Sequence, residues 1–283
     1  MGDGSWPPVV PARILRAVRK LPYYASSAVV LARIATVRSI VARAAHPAGP
    51  LVLRDGPRLQ VATRRDLLVV KECLVDDVYG LRRIPAETSG MVVDVGAGVG
   101  EFALAAADRL PRATILAFEP APSTFRLLQE NVESAGATIH IAPYAIGVGG
   151  QEVLWRTDAG PLATAVPTAG GEGVTVSGCR LDEVVPDGQV ALLKIDCEGL
   201  ELDVLEGGAA TLGRTRRVVL EYHLHLVRDG AARAVAILRA AGFETASRPD
   251  PYDPRIGYVH AWRLSGSTRA SEDDTTRRGT LPR

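Results

Sequence analysis

The chain has 283 residues, 47% of them hydrophobic, and a formal net charge of +1. That length carries one sizeable core with extensions, and the near-neutral balance excludes a global field that would draw the chain onto nucleic acid. Three cysteines (Cys73, Cys179 and Cys197), odd in number and without paired spacing, argue against a disulfide framework and for a reducing cytoplasm.

Residues 1–10 form a Gly/Pro-rich lead-in. Residues 11–45 predict one or two helices broken near Pro22, with Val30, Ile34, Val37 and Val41 at helical spacing and Arg33, Arg38 and Arg43 mostly off that line. Such a segment packs on the main domain, meets a partner subunit in a homo-oligomer, or lies as a basic amphipathic helix on an anionic membrane surface. The longest uncharged run there, Leu21 to Ala32, falls short of the roughly 20 residues a membrane span needs. Basic residues recur after it, which argues against a signal peptide. Residues 50–70 read as short strands around a DG turn, and 71–90 as a helix and linker.

A regular alternation follows. Strand 91–95 leads to helix 101–109, strand 114–118 to helix 123–135, and strand 138–142 to a turn at Gly147, Gly149 and Gly150. Strands near 151–156 and 174–177 flank a Gly/Pro/Thr-rich loop. Strand 190–195, helix 201–212, strand 217–222 and helix 229–241 continue the pattern, and strands 243–247 and 257–263 close it as a hairpin. Strands alternating with helices imply an α/β fold, a mostly parallel mixed sheet with helices on both faces. The chain divides into an N-terminal extension (1–87), a main domain (88–264) and a Ser/Thr/Arg/Asp/Glu-rich tail (265–283) expected to be disordered. The basic residues are nearly all arginine, with lysine only at Lys20, Lys71 and Lys194. With abundant Ala, Gly and Val, that reads as the coding bias of a high-GC bacterium and says nothing of function.

The most informative stretch is VVDVGAGVG, residues 92–100. Glycines at 96, 98 and 100 let the backbone turn sharply and let a ligand approach the main chain around Ala97. The following helix N-terminus offers free N–H groups to a carboxylate or phosphate. The spacing G-x-G-x-G is one residue short of the dinucleotide fingerprint. Asp94, two residues before the first glycine, suits a cationic ligand such as S-adenosylmethionine better than a pyrophosphate. Glu119 ends the next strand, 23 residues after Gly96 and just before Pro120, where an acid accepts ribose hydroxyls.

A second constellation is LLKIDCEGLELDVLEGG, from residue 192. Its strand delivers Asp196 and Glu198 to the same carboxyl edge as Asp94 and Glu119. There they could hold an amino group, a metal or an acceptor hydroxyl. Glu201 and Asp203 read as ordinary helix-start acids. Strand 217–222 ends in Glu221 and His223, on one side by alternation; His223 is a candidate base for a hydroxyl, with His225 further from the tip. Cys197, between two acids, reads as a small buried residue and not a nucleophile. Asp196, Glu198, Glu221 and His223 could ligate a Mg²⁺-type ion, but no diagnostic metal spacing is present. An NAD-linked oxidoreductase is disfavoured by the glycine spacing and Asp94, and a non-catalytic binding protein on the same fold stays open.

From about 88 to 263 the chain resembles an FkbM-type S-adenosylmethionine-dependent methyltransferase. The matching pieces are VVDVGAGVGEFALAAA, AFEPAPSTFRLLQENV, APYAIG, RLDEV, LLKIDCEGLELDVLEGG and VVLEYH. The resemblance implies a class I Rossmann-like fold and O-methylation of a hydroxyl on a sugar, glycolipid or secondary metabolite, with no nucleic-acid partner. It further implies that Gly96, Gly98 and Gly100 line the cofactor, that Asp94 lies near its methionine part and that Glu119 takes the ribose. Ala145 and Ile146 would meet the adenine, and Asp196 would lie near the sulfonium and the acceptor. The first 87 residues lie outside the resemblance and are expected to help form the acceptor pocket.

Overall fold

Thr36 accepts the Ser39 N–H at 3.4 Å and so starts helix α1, Val37–Ala45. This computed structural model describes residues 27, 29–54, 58–147, 149, 152–155, 165–167 and 174–264. The lead-in, the first part of the expected N-terminal helices, most of the Gly/Pro/Thr-rich loop, Gly150 and the tail lie outside them. Strands β1 (Gly49–Val52) and β2 (Arg58–Val61) pair as an antiparallel hairpin. Helix α2, Arg64–Lys71, follows where short strands were expected. Its start is fixed by a reciprocal cap: Thr63 accepts the Asp66 N–H, and Asp66 accepts the Thr63 N–H.

The expected stripe Val30, Ile34, Val37 and Val41 is also not the buried one. The chain turns between residues 32 and 36, which resets the helical phase. Leu31, Ala35 and Ile40 are buried instead, while Val37 and Val41 are 55% and 62% exposed. A wide turn (Glu72–Asp76) and a short 3-10 turn (Leu81–Arg83) lead into the main sheet.

The elements of the main domain are β3 (Gly90–Val95), α3 (Glu101–Arg109), β4 (Ala113–Phe118), α4 (Pro122–Ala135), β5 (Ile139–Ala142), β6 (Ala145–Ile146), β7 (Glu152–Trp155), β8 (Ala165–Pro167), β9 (Val174–Cys179), α5 (Leu181–Val184), β10 (Val190–Ile195), α6 (Glu201–Glu206), α7 (Ala209–Gly213), β11 (Arg217–His223), α8 (Gly230–Ala240), β12 (Glu244–Pro249) and β13 (Ile256–Trp262). The helix expected over 201–212 is thus two. Gly208 packs its backbone against Leu181, whose Cδ2 lies 2.7 Å from where a Cβ would stand, and the chain bends there.

Seven strands form one sheet in the order β12-β13-β11-β10-β3-β4-β5. The five from β11 to β5 run parallel, and β13 and β12 add an antiparallel hairpin at one edge. The chain leaves β3 toward β4 and β5, then returns to β10 and β11 on the other side. Ligands on such sheets bind outside the carboxyl ends of the strands, at this reversal. A smaller sheet, β6-β9-β7-β8, flanks that end.

Strand β3 shows why the sheet is covered on both faces. Val92 points into a core with Phe102, Ile115 and Leu128; Val93 points into another with Leu193, Leu205 and Leu220. Each such side chain contributes about 1.5–3 kcal/mol on burial. Leu51, Leu59, Leu67 and Val70 from the N-terminal extension join the first core. Asn131, fully buried on α4, ties that extension down: its amide donates to Gln60 O at 3.0 Å and Val99 O at 2.8 Å, and its oxygen accepts the Gln60 N–H at 2.5 Å. Among the described residues no helix is long and apolar enough to cross a membrane.

Candidate functional site

The turn from β3 to α3 bends through positive φ at Gly96 (77°) and Gly100 (96°). A Cβ on Gly96 would stand 1.7 Å from the Asp196 carbonyl oxygen, so glycine lets the ends of β3 and β10 touch. Helix α3 has Gly100 as its N-cap and no side-chain cap hydrogen bond. Apart from the Glu101 N–H, which its own carboxylate meets, the first-turn N–H groups are open to a ligand carboxylate.

A cavity of about 670 Å³ opens above this turn, a size suited to a small-molecule ligand. Of the residues expected from sequence, Gly96, Gly98, Glu119, Pro120, Ala145, Ile146 and Asp196 line it. Glu119 accepts the N–H groups of Gly98 at 3.0 Å and Ala121 at 2.9 Å, which aims its carboxylate at the cavity wall. Burial pushes its pKa up to about 7, against those two hydrogen bonds. A second hollow, about 680 Å³, runs from Gly90 and Gly188 along Leu116 and Phe118. Its lining is mainly apolar and gathers no acidic cluster, so the chemistry belongs to the first.

Asp94, Ala97, Gly100, Glu221 and His223 do not line the cavity. Asp94 is fully buried beneath the glycine turn and faces Lys194 Nζ at 3.0 Å. Lys194 is its neighbour across the β3–β10 register and also donates to Gly96 O at 2.5 Å. Asp94, expected near the methionine part of the cofactor, thus lies under the loop and off the cavity lining. Burial works against the Lys194 charge, yet Asp94, Asp196 and Glu101 hold its pKa above the ordinary lysine value.

The second constellation does converge. His223 is 1% exposed. Its Nδ1 lies 2.9 Å from Glu201 Oε1, and its Nε2 lies 3.4 Å from Glu198 Oε2, 3.7 Å from Glu221 Oε1 and 4.0 Å from Asp196 Oδ1. Burial disfavours the His223 cation, but the Glu201 hydrogen bond and the charges of Glu198, Asp196 and Glu221 hold its pKa up at about 10. A base walled off from the cavity, with a pKa far above neutrality, is poorly placed to take a proton from an acceptor directly. His225 is exposed and meets His223 only edge-on, at 5.8 Å between ring centroids. Cys197 lines the cavity, and burial with the Glu201 and Asp196 charges keeps its thiol pKa well above the usual range.

Five contributors were missed or misread in the sequence. Glu201, read as a plain helix-start acid, is buried against His223 and accepts the Gly199 N–H at 3.0 Å. Lys194 is the lone charge inside an otherwise apolar strand, and that oddity was the available signal for a buried partner. Arg65 bridges Glu198 at 2.7 Å, and Tyr79 OH lies 3.0 Å from Asp196 Oδ2 and 3.3 Å from Glu221 Oε2. Both come from the N-terminal extension, and no spacing linked them to the site. Glu101, at the start of α3, also lines the cavity, and burial pushes its carboxyl up to about 8.

The model of the Methyltransferase FkbM domain matches residues 94–245, more than half of the chain. The 31-O-demethyl-FK506 methyltransferase FkbM of Streptomyces tacrolimicus is 30% identical over 235 residues, covering 69% of this chain and 89% of that protein. The hexuronic acid methyltransferase AglP of Haloferax volcanii is 32% identical over 155 residues, 52% of this chain and 62% of that one. The AMB antimetabolite synthetase AmbE of Pseudomonas aeruginosa is 31% identical over 235 residues, 64% of this chain and 11% of that protein. The chain thus spans less than two thirds of the length of the last two relatives. The uncapped helix, the cavity and Glu119 suit a ligand with a carboxylate and a ribose, and the dinucleotide alternative falls away. The chain belongs to the FkbM family of S-adenosylmethionine-dependent methyltransferases.

Proposed function

We propose that the protein methylates a hydroxyl group of a small molecule such as a sugar, glycolipid or other secondary metabolite. The observation that carries this reading is one cavity bounded by Glu119 at one side and by Asp196 and Glu198 at the other. S-adenosylmethionine, when bound, supplies an electrophilic methyl carbon whose departing bond pair stays on sulfur. The first turn of α3 would receive its carboxylate, Glu119 its ribose hydroxyls, and Ala145 and Ile146 the face of its adenine. Lys194, anchored on Asp94, holds Gly96 in place beneath.

Asp196 and Glu198 orient the acceptor hydroxyl and favour loss of its proton, while Glu221 and His223 act from behind them. Most of the rate gain comes from holding two reactants in line. Thr63 and Arg65 on the cavity wall give the N-terminal extension a part in acceptor choice. Two relatives support the acceptor class: one is named for a hexuronic acid, the other for 31-O-demethyl-FK506. The free Cys73, Cys179 and Cys197 fit a reducing cytoplasm. The test is transfer of a labelled methyl from S-adenosylmethionine to a panel of hydroxylated sugars and polyketides, each beside its deoxy analogue. Labelling that needs the hydroxyl supports the reading; labelling that falls on nitrogen or carbon contradicts it.

A further inference from the structure

We infer that Asp196, Glu198, Glu221 and His223 form a binding site for one hard divalent cation, of the Mg²⁺ or Mn²⁺ class, behind the acceptor end of the cavity. Each carboxylate has one oxygen facing a protein donor and the other turned inward. Tyr79 OH sits between Asp196 Oδ2 and Glu221 Oε2 and gives its one proton to either, and Arg65 holds Glu198 Oε1. The remaining oxygens, Asp196 Oδ1, Glu198 Oε2 and Glu221 Oε1, lie 3.4–4.0 Å from His223 Nε2. Asp196, Glu221 and His223 each offer one atom within 4.8 Å of the others. Ligands around a six-coordinate ion with bonds of about 2.0–2.6 Å stand roughly 3–4 Å from their neighbours and up to about 5 Å apart across it.

The imidazole supplies the independent observation. His223 is almost fully buried, and its Nε2 has no hydrogen-bond partner; Glu198 Oε2, facing it, has none either. Burying two such atoms unsatisfied costs stability. Glu201 explains the orientation. By accepting from Nδ1 at 2.9 Å it points Nε2 at the three oxygens, where a bound cation would take the place of the Nε2 proton. A carboxylate behind a ligating histidine is the usual outer support of a metal site. The charge balance agrees: four carboxylates, Asp196, Glu198, Glu201 and Glu221, surround the single imidazole, an excess of negative charge that a cation would offset.

The role of the ion in catalysis rests on the methyl-transfer reading; the site itself does not. Asp196 and Glu198 also line the cavity, so open coordination positions fall on the acceptor side. A hydroxyl bound there sheds its proton to water more readily, because the cation stabilises the oxygen anion. That oxygen's lone pair then forms the new C–O bond, and the electrons of the breaking S–C bond return to sulfur.

The test is titration of the purified full chain with MnCl₂, followed by electron paramagnetic resonance, with S-adenosylhomocysteine binding measured on the same samples. The site predicts one saturable Mn²⁺ per chain, displaced by MgCl₂, with a ¹⁴N coupling from the imidazole in the spin-echo modulation. Asp196→Asn and Glu221→Gln should abolish tight binding. Glu201→Gln should weaken it roughly 10–100-fold while leaving S-adenosylhomocysteine affinity unchanged. Absence of saturable binding, a signal without ¹⁴N coupling, or binding undiminished in folded Asp196→Asn would each overturn the site. Loss of S-adenosylhomocysteine binding in the wild type would instead strike the methyltransferase reading and leave the metal result standing.

Discussion

Replacing Lys194 by methionine keeps most of the side-chain volume and removes one charge of a pair sealed under the glycine turn. Lys194 Nζ and Asp94 Oδ1 are 3.0 Å apart, with side chains 1% and 0% exposed. At an effective dielectric of about 20 their attraction is roughly 5.5 kcal/mol. Stranding Asp94 by removing its partner should therefore cost about 3–5 kcal/mol of folding stability. Urea unfolding, extrapolated linearly, measures it. The double variant Lys194→Met with Asp94→Asn removes both charges and should recover part of the loss, giving an interaction energy of about 2–3 kcal/mol in the cycle. A loss under about 1 kcal/mol in the single variant, or strictly additive losses, would refute the argument. Were Asp94 a ligand contact open to the cavity, Lys194→Met would leave stability nearly unchanged.

Glu119, with its pKa raised by burial to about 7, should make cofactor affinity pH-dependent. The ionised carboxylate accepts ribose hydroxyls best, so S-adenosylhomocysteine affinity rises with pH through about 7. Subtracting the profile of Glu119→Gln removes the ligand's own titration and that of Glu101; parallel profiles would contradict the assignment. Gly96→Ala forces a positive φ on alanine and a Cβ against the Asp196 carbonyl, so calorimetry should find S-adenosylhomocysteine binding lost even where far-ultraviolet circular dichroism shows a folded chain. Asn131→Ala leaves Val99 O and the Gln60 backbone groups without their partner. It should cost about 2–4 kcal/mol in the same unfolding assay, and a neutral result would detach the N-terminal hairpin from the account.

The alternating part of the fold was legible because its signals are local. Apolar runs such as VALLKI and RVVLEYH bury whole strands, and the glycine turn announces its own helix. The misread elements depend on single residues that compete with period. Thr63 and Asp66 cap a helix over residues expected to be strands, Gly208 splits α6 from α7, and the turn before Thr36 moves burial from Val37 to Ile40. The site divides the same way. Glu119 and Asp196, just past the ends of β4 and β10, line the cavity because topology places them there, whereas Asp94, Glu221 and His223 do not. Tyr79 and Arg65 arrive from a segment with no shared motif. The burial of Asp94 and His223 depends on what packs above them, which spacing does not encode.

The central claim is that the cavity above the glycine turn receives S-adenosylmethionine. Calorimetric titration of the purified chain with S-adenosylhomocysteine, beside NAD as control, tests it most directly. The account predicts micromolar binding of one S-adenosylhomocysteine per chain, weakened about 10–100-fold in Glu119→Ala, and no heat with NAD. Binding of NAD without S-adenosylhomocysteine, or wild-type affinity in a folded Glu119→Ala variant, would contradict it.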